Sequence, residues 1–220
     1  MSLRALIQRP TPVTAPLVLN PLMARMAEAA GFPAGYLGGG STGYQKVALE
    51  ANLNVTEMMA AKVKEAVAAR RNPDFLIVAR TNAIRASSMD DALRRGDAYR
   101  TAGADLLLLS MAHKPEQLRA IGERLGGPLM YLAGRGGLAG LGLTLADLGS
   151  LGYKIVADPS TPLLAAYVAW KKVYAELADG FGANVRTKPD WSPVEKDMLA
   201  VIDLEKLLAI ERATVEDGTR

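Results

Sequence analysis

Phe75-Leu76-Ile77-Val78-Ala79-Arg80-Thr81-Asn82 reads as a buried strand that ends on one cation and two polar residues. A near-continuous apolar run of this length suits a parallel strand covered on both faces. In a β/α barrel the C-terminal ends of the strands form the active-site face, so an arginine there points at the ligand. The guanidinium is planar and offers paired donors, which suits a carboxylate or a phosphate. The same arginine would serve equally as a cap on the barrel mouth through a local salt bridge. Those eight residues leave both roles open.

Working outward from this stretch, short apolar runs alternate with amphipathic ones, the pattern of repeated βα units. Leu17-Val18-Leu19 is the first expected strand, and Asn20-Pro21 starts a helix with Asn as N-cap and Pro at its first position. That helix stops at Gly31. Ala34 to Leu37 is the second strand and runs into Gly38-Gly39-Gly40-Ser41. Helices are expected over Thr56–Arg71, Met89–Ala102, Pro115–Leu125, Leu143–Leu151 and Thr161–Ala178. Strands are expected at Phe75–Ala79, Asp105–Ser110, Leu129–Leu132 and Lys154–Ala157. Six strands result, where a closed β/α barrel needs eight.

The tail changes character. Gly180 to Trp191 is polar and irregular, and Ser192-Pro193-Val194-Glu195 is a helix-start signal. The terminal helix carries Met198, Val201, Ile202, Leu204, Leu207, Leu208 and Ile210, an apolar stripe that needs a surface to cover. Residues 1–180 therefore read as an incomplete β/α barrel. Residues 181–220 read as a linker and a C-terminal helix whose stripe would cover either the chain's own barrel wall or a neighbouring subunit, with the neighbour favoured.

Composition narrows the function classes. With 50% hydrophobic and 22% charged residues the chain is globular rather than disordered. No apolar run is long enough to span a bilayer, so no membrane partner is expected. Met1-Ser2-Leu3-Arg4 lacks the apolar core of a signal peptide, which leads to a cytoplasmic expectation. Without cysteine there is no disulfide, no thiolate nucleophile and no Cys-ligated zinc. The net charge of +3 is spread over interspersed Lys/Arg and Asp/Glu. A nucleic-acid footprint is not expected, because the adjacent basic pairs fall within predicted helices.

Several segments together resemble the isocitrate lyase/phosphoenolpyruvate mutase superfamily. Leu3-Arg4-Ala5-Leu6, Asn20-Pro21-Leu22-Met23-Ala24-Arg25 and Glu28-Ala29-Ala30-Gly31-Phe32-Pro33 resemble its first βα unit. Tyr36-Leu37-Gly38-Gly39-Gly40 resembles the substrate-binding turn after its second strand, and Asn54-Val55-Thr56-Glu57-Met58 the start of the next helix. Asn72-Pro73-Asp74-Phe75 leading into Ala79-Arg80-Thr81-Asn82 is similar to its fifth strand. Ala102-Gly103-Ala104-Asp105 and Leu151-Gly152-Tyr153-Lys154-Ile155-Val156 match later units. The resemblance covers most of residues 3–180 and breaks between Met58 and Met59, where two central βα units are missing.

The resemblance implies an α/β fold of the (β/α)8 TIM-barrel type lacking those two units, with a C-terminal helical extension. It implies a Mg2+-dependent lyase or decarboxylase that cleaves a C–C bond in a small 2-oxo or 2-hydroxy dicarboxylate through an enolate. Arg80 would be catalytic and would hold an oxyanion. Tyr36, Gly38, Gly39, Gly40, Ser41 and Asn82 would complete substrate binding. The metal ligands fall in the missing segment, and none is identifiable in this chain. A homo-oligomer, tetrameric by resemblance, is implied.

The Ala-Arg-Thr-Asn form at residues 79–82 resembles the oxaloacetate decarboxylase branch. Ser110, Leu132 and Arg135 stand where lyases of the methylisocitrate type carry Glu, Asn and Glu, and Ser160 sits near a decarboxylase histidine. Oxaloacetate decarboxylation and substituted-malate cleavage both stay open. The alternative is a non-catalytic barrel remnant that binds a small anion or acts only by assembly. His113, the one histidine, reads as a surface residue at a helix start or as an acid/base at the barrel mouth. Gly134 to Gly142 reads as a flexible loop, since it lacks the Lys and Ser/Thr of a phosphate loop.

Overall fold

Leu106-Leu107-Leu108-Leu109 is a strand with all four side chains buried. Only a strand covered on both faces accommodates four consecutive leucines. In the computed structural model, which describes residues 2–37, 56–134, 137–178 and 190–214, this strand lies inside a parallel sheet. In chain order the elements are α1 (Leu3–Leu6), β1 (Val13–Ala15), α2 (Pro21–Ala29), α3 (Thr56–Ala69), β2 (Val78–Thr81), α4 (Ala83–Ala86) and α5 (Met89–Thr101). They continue with β3 (Leu106–Leu109), α6 (Pro115–Leu125), β4 (Leu129–Leu132), α7 (Leu145–Ser150), β5 (Tyr153–Ala157) and α8 (Thr161–Ala178). The last two are α9 (Ser192–Val201) and α10 (Leu204–Thr214).

The strand order is β1-β5-β4-β3-β2, all parallel. Beyond β1 the sheet gains a parallel bridge between Leu17 and Tyr36, with Val18 N–H donating to the Tyr36 carbonyl at 2.9 Å. Among the described residues, six strand positions thus follow one another around an incomplete barrel. Among the described residues, Tyr36 and β2 are its two edges, and they are successive strand positions; we refer to the space between them as the seam. The Met58–Met59 break in the resemblance lies in that interval, yet α3 runs through it as one helix.

Alternation sorts the strand side chains into two cores. Leu107, Leu109, Leu129, Tyr131 and Val156 face the helices, where Leu118, Ile121, Leu125 and Tyr99 cover them. Leu106, Leu108, Met130, Ile155 and Ala157 point into the barrel, together with Val13 and Ala15. Each leucine buried in this way contributes about 2 kcal/mol.

The helix boundaries follow local chemistry. The Asn20 side chain accepts from Met23 N–H at 2.9 Å, with Pro21 at the first helical position. Ser88 caps α5 through Asp91 N–H. Thr144 and Asp147 form a reciprocal capping box on α7. Gly31 (φ +84°) and Gly103 (φ +99°) end α2 and α5 in the left-handed region that glycine enters without strain.

Four expectations are corrected. The first strand is Val13–Ala15, and Leu17 contributes only the bridge to Tyr36. The strand expected at Phe75–Ala79 is Val78–Thr81, so Arg80 lies within it. Phe75 N–H closes a turn onto the Asn72 carbonyl, and the Asp105 side chain takes Ile77 N–H, which delays the ladder. The terminal helix is two helices, because Asp203 adopts φ +56° and restarts the chain in a new direction. The loop after Gly134 is not loose: Leu138, Leu141 and Leu143 pack into the helix-side core.

The barrel floor is tied by one carboxylate. Asp105, just before β3, pairs with Arg4 of α1 at 2.7 Å and with Arg70 at 2.6 Å, and accepts Ile77 N–H at 2.9 Å. Arg4 also donates to the Pro73 carbonyl at 2.7 Å. Burial works against the charge of Asp105, but the Ile77 N–H and the two arginines outweigh it and hold the carboxyl below its ordinary range. A carboxyl lowered in this way stabilises the fold above its unfolded value near about 3.9 and loses that effect as pH falls through the lowered value. We therefore expect Asp105→Ala to cost about 3 kcal/mol in urea unfolding. Asp105→Asn should remove the part of the stability that is lost below about pH 4. An unchanged urea midpoint in Asp105→Ala would show the floor tie to be idle.

Candidate active site

Arg80 reaches the barrel interior because of its register. It pairs with Leu108 across the β2–β3 ladder, and Leu108 faces inward. Ala79 and Thr81 on either side are buried on the helix side. Arg80 Nε donates to Asn82 Oδ1 at 3.0 Å, which orients the guanidinium at the strand mouth. Asn82 is itself buried, and its carbonyl accepts from Arg85 and Ala86 N–H at the start of α4. Thr81 Oγ1 accepts from Ala83 N–H at 3.1 Å, so three consecutive residues lock the turn behind the arginine.

The other strand ends complete the mouth. Ser110 N–H donates to the Thr81 carbonyl, Ala133 N–H to Ala157, and Asp158 N–H to Ala15. Ser110 is buried, and Met111 follows it at φ +75°, a non-glycine residue in the left-handed region. Strain of this kind gathers where a loop is over-determined by its surroundings. Asp158 is the acidic residue at the end of β5. Its Oδ1 accepts from Ser160 N–H at 2.8 Å and Thr161 N–H at 2.7 Å, and so caps α8.

Tyr36 and Arg80 line one cavity of about 300 Å3, together with Ala34, Gly35 and the inward side chains of the sheet. The structure thus brings together three of the expected site residues, Tyr36, Arg80 and Asn82. Gly38, Gly39, Gly40 and Ser41 lie outside the described residues, as does Arg135. His113 is exposed at the start of α6, where its N–H donates to Gln117 Oε1 at 3.0 Å; this is the surface position, away from the cavity. Among the described residues, no three His, Cys, Asp or Glu side chains come together, so they offer no oxygen cage for a divalent ion.

A parallel sheet flanked by helices, with its strand ends gathered at one mouth, defines an α/β protein of the barrel type. The family model for phosphoenolpyruvate phosphomutase matches residues 41–178. The chain belongs to that family, within the isocitrate lyase/phosphoenolpyruvate mutase superfamily.

Two relatives are similar to part of the chain. The 2,3-dimethylmalate lyase of Eubacterium barkeri is 37% identical over 121 residues, 55% of this chain and 42% of the relative. An oxaloacetate decarboxylase of Rhodopseudomonas palustris is 32% identical over 132 residues, 57% of this chain and 42% of the relative. The chain therefore spans less than half the length of these curated relatives. Superposed on the crystal structure of a 2,3-dimethylmalate lyase, it reaches a TM-score of 0.77 at 18% identity, covering 97% of this chain and 99% of that one. That likeness is one of fold.

The turn behind Arg80 has its own test. Thr81→Val removes the acceptor for a buried N–H and should cost about 1–2 kcal/mol in thermal or urea unfolding. Unchanged stability would mean that Ala83 N–H finds another partner and that the turn is not locked by Thr81.

Proposed function

We propose that this chain is a carbon–carbon lyase acting on a small 2-oxo or 2-hydroxy dicarboxylate, with a carboxylate of the substrate on Arg80. The observation that carries this reading is the inward guanidinium at the end of β2, oriented by Asn82. The names of the two relatives, a lyase of 2,3-dimethylmalate and a decarboxylase of oxaloacetate, support the substrate class. Carboxy-lyase and oxo-acid-lyase chemistry share one need. When the C–C bond breaks, its electron pair passes into the neighbouring carbonyl as an enolate. A fixed cation beside that developing charge stabilises the transition state more than the ground state.

In this scheme Arg80 anchors the carboxylate and faces the enolate, and Asn82 keeps its guanidinium in place. Tyr36 closes the pocket from the opposite edge of the seam. The backbone amides of Gly38, Gly39, Gly40 and Ser41 would cradle the second carboxylate, since glycine lets the chain approach a ligand closely. Mg2+ is the ion the family reading implies, and it would supply Lewis-acid stabilisation of the enolate. The described residues do not fit it, so the steps assigned to this chain rest on Arg80 and its neighbours.

A second reading has its own observation. The seam between Tyr36 and β2 leaves two strand edges open among the described residues, which favours a non-catalytic remnant that binds an anion or acts by assembly. Assembly also fits the C-terminal part. Tyr167, Val168 and Tyr174 of α8 are each at least 60% exposed, and α9 and α10 bury no residue fully. Helix α9 contacts α2 of its own chain; we infer that residues 1–180 form the barrel and that residues 181–220 also pack on a neighbouring subunit of a homo-oligomer, a tetramer by resemblance. Among the described residues, no helix is long and apolar enough to cross a membrane.

Arg80→Ala should lower turnover of oxaloacetate or a substituted malate by at least about 100-fold, with the melting temperature unchanged. Retained turnover would overturn the role of Arg80. Oxalate binding by calorimetry, together with turnover of one of these substrates, is expected for the lyase. Oxalate binding indifferent to Mg2+, with no turnover of either substrate, would establish the remnant. Truncation after Gly180 should lower the oligomeric state in light scattering. An unchanged number of subunits would reject the assembly role of the tail.

A further inference from the structure

Among the described residues, the buried polar side chains are Thr81, Asn82, Asp91, Arg95 and Ser110. The first four have partners. Thr81 Oγ1 accepts from Ala83 N–H, Asn82 Oδ1 from Arg80, and the Asp91 carboxylate from Arg94 and Arg95. Ser110 is the exception: it is 5% exposed, and its hydroxyl has no hydrogen-bond partner among the described residues. Nor is it sealed in the core, because the fully enclosed side-chain atom left without a partner there is Arg100 Nη2. A hydroxyl in such a place loses most of its water with no internal bond in return, so an apolar side chain would serve the fold at least as well.

Its place in the sheet gives it a use. Leu106 and Leu108 of β3 belong to the inward core, and Leu107 and Leu109 to the helix-side core. Alternation sets Ser110 on the inward side, one inward position beyond Leu108, the residue that pairs with Arg80. Ser110 N–H donates to the Thr81 carbonyl at 2.9 Å, which carries the ladder one rung further and brings Ser110 beside Asn82. Neighbouring strands lie about 5 Å apart. Asn82 Oδ1 is occupied by Arg80 Nε, while its Nδ2 donors have no partner among the described residues. The strand mouth thus sets a hydroxyl and an amide NH2 next to a guanidinium. Both are neutral, and the amide nitrogen only donates, so the pair suits an oxygen that accepts.

We propose that Ser110 is a further ligand-contacting residue, and that its hydroxyl and Asn82 Nδ2 together take the oxygen on the carbon next to the carboxylate held by Arg80. This rests on the reading of Arg80 as the carboxylate anchor and adds a second, neutral contact. A carbonyl or carboxylate oxygen at that carbon meets both donors, whereas a methylene there leaves both unmet.

The experiment is a calorimetric titration of the full chain with oxalate, pyruvate and propionate. Pyruvate and propionate have the same carbon skeleton and differ at the second carbon, a carbonyl in one and a methylene in the other. The native chain should bind pyruvate at least about tenfold more tightly than propionate. Ser110→Ala should weaken pyruvate and oxalate about tenfold and leave propionate unchanged, and its unliganded melting temperature should be equal to the native value or higher. Ser110→Gly removes the same hydroxyl and should show the same loss of preference if Ser110→Ala fails to fold. Arg80→Ala should weaken all three ligands.

A Ser110→Ala chain that keeps the native preference for pyruvate, or that loses pyruvate and propionate equally, would overturn this inference and leave the anchor standing. A lowered melting temperature would show that the hydroxyl serves the fold, and would also overturn it. Failure of all three ligands to bind the native chain would overturn the anchor and this inference together.

Discussion

Asp105 joins what the chain would otherwise leave apart. Its carboxylate meets Arg4 from α1, Arg70 from the segment after α3, and Ile77 N–H at the approach to β2, while its own backbone N–H donates to the Ile77 carbonyl at 2.9 Å. Among the described residues, no ladder hydrogen bonds join the Tyr36 edge to β2. The floor tie holds the approach to β2 with ion pairs that are about one-third exposed at Arg4 and more buried at Arg70 and Asp105. Such pairs contribute only when their geometry is good and their remaining lone pairs are satisfied. Here a backbone donor and two guanidinium groups share the one carboxylate. With β2 held to β3 at its foot, the register that points Arg80 inward is set three residues later.

Much of this was legible in the sequence wherever the cause is local. Asn20-Pro21, Pro115–Leu125 and Thr161–Ala178 end where capping chemistry and periodicity place them. Leu106–Leu109 reads as a strand because no other element buries four consecutive leucines so readily. The place of Arg80 near the strand mouth was legible because a cation closes the apolar run there. The misplaced boundaries have tertiary causes. Phe75 and Leu76 have strand-like composition, but a turn onto Asn72 and the Asp105 side chain hold them out of the ladder. Val13-Thr14-Ala15 is too short to stand out beside Leu17-Val18-Leu19, although it is the former that pairs with β5. The positive φ of Asp203 leaves no trace in the apolar stripe that crosses it.

The floor network was missed altogether, and its signal is weak. Asp105 sits between an Ala-Gly-Ala turn and an all-leucine strand, a place where an acidic residue needs a partner. Neither Arg4 nor Arg70 is near it in sequence, so only the fold reveals them. The cavity lined by Tyr36 and Arg80 was likewise hidden, because its walls come from segments far apart in sequence. The family relation and the parallel sheet agree on architecture.

The crystal structure of this chain grown with oxalate tests the central claim most directly. The account predicts oxalate at the mouth, within hydrogen-bond distance of the Arg80 guanidinium, with Asn82 Oδ1 still accepting from Nε and with Val78–Thr81 at the edge of the sheet. An Arg80 side chain turned to the outer face of the sheet, or oxalate bound away from it, would contradict the account.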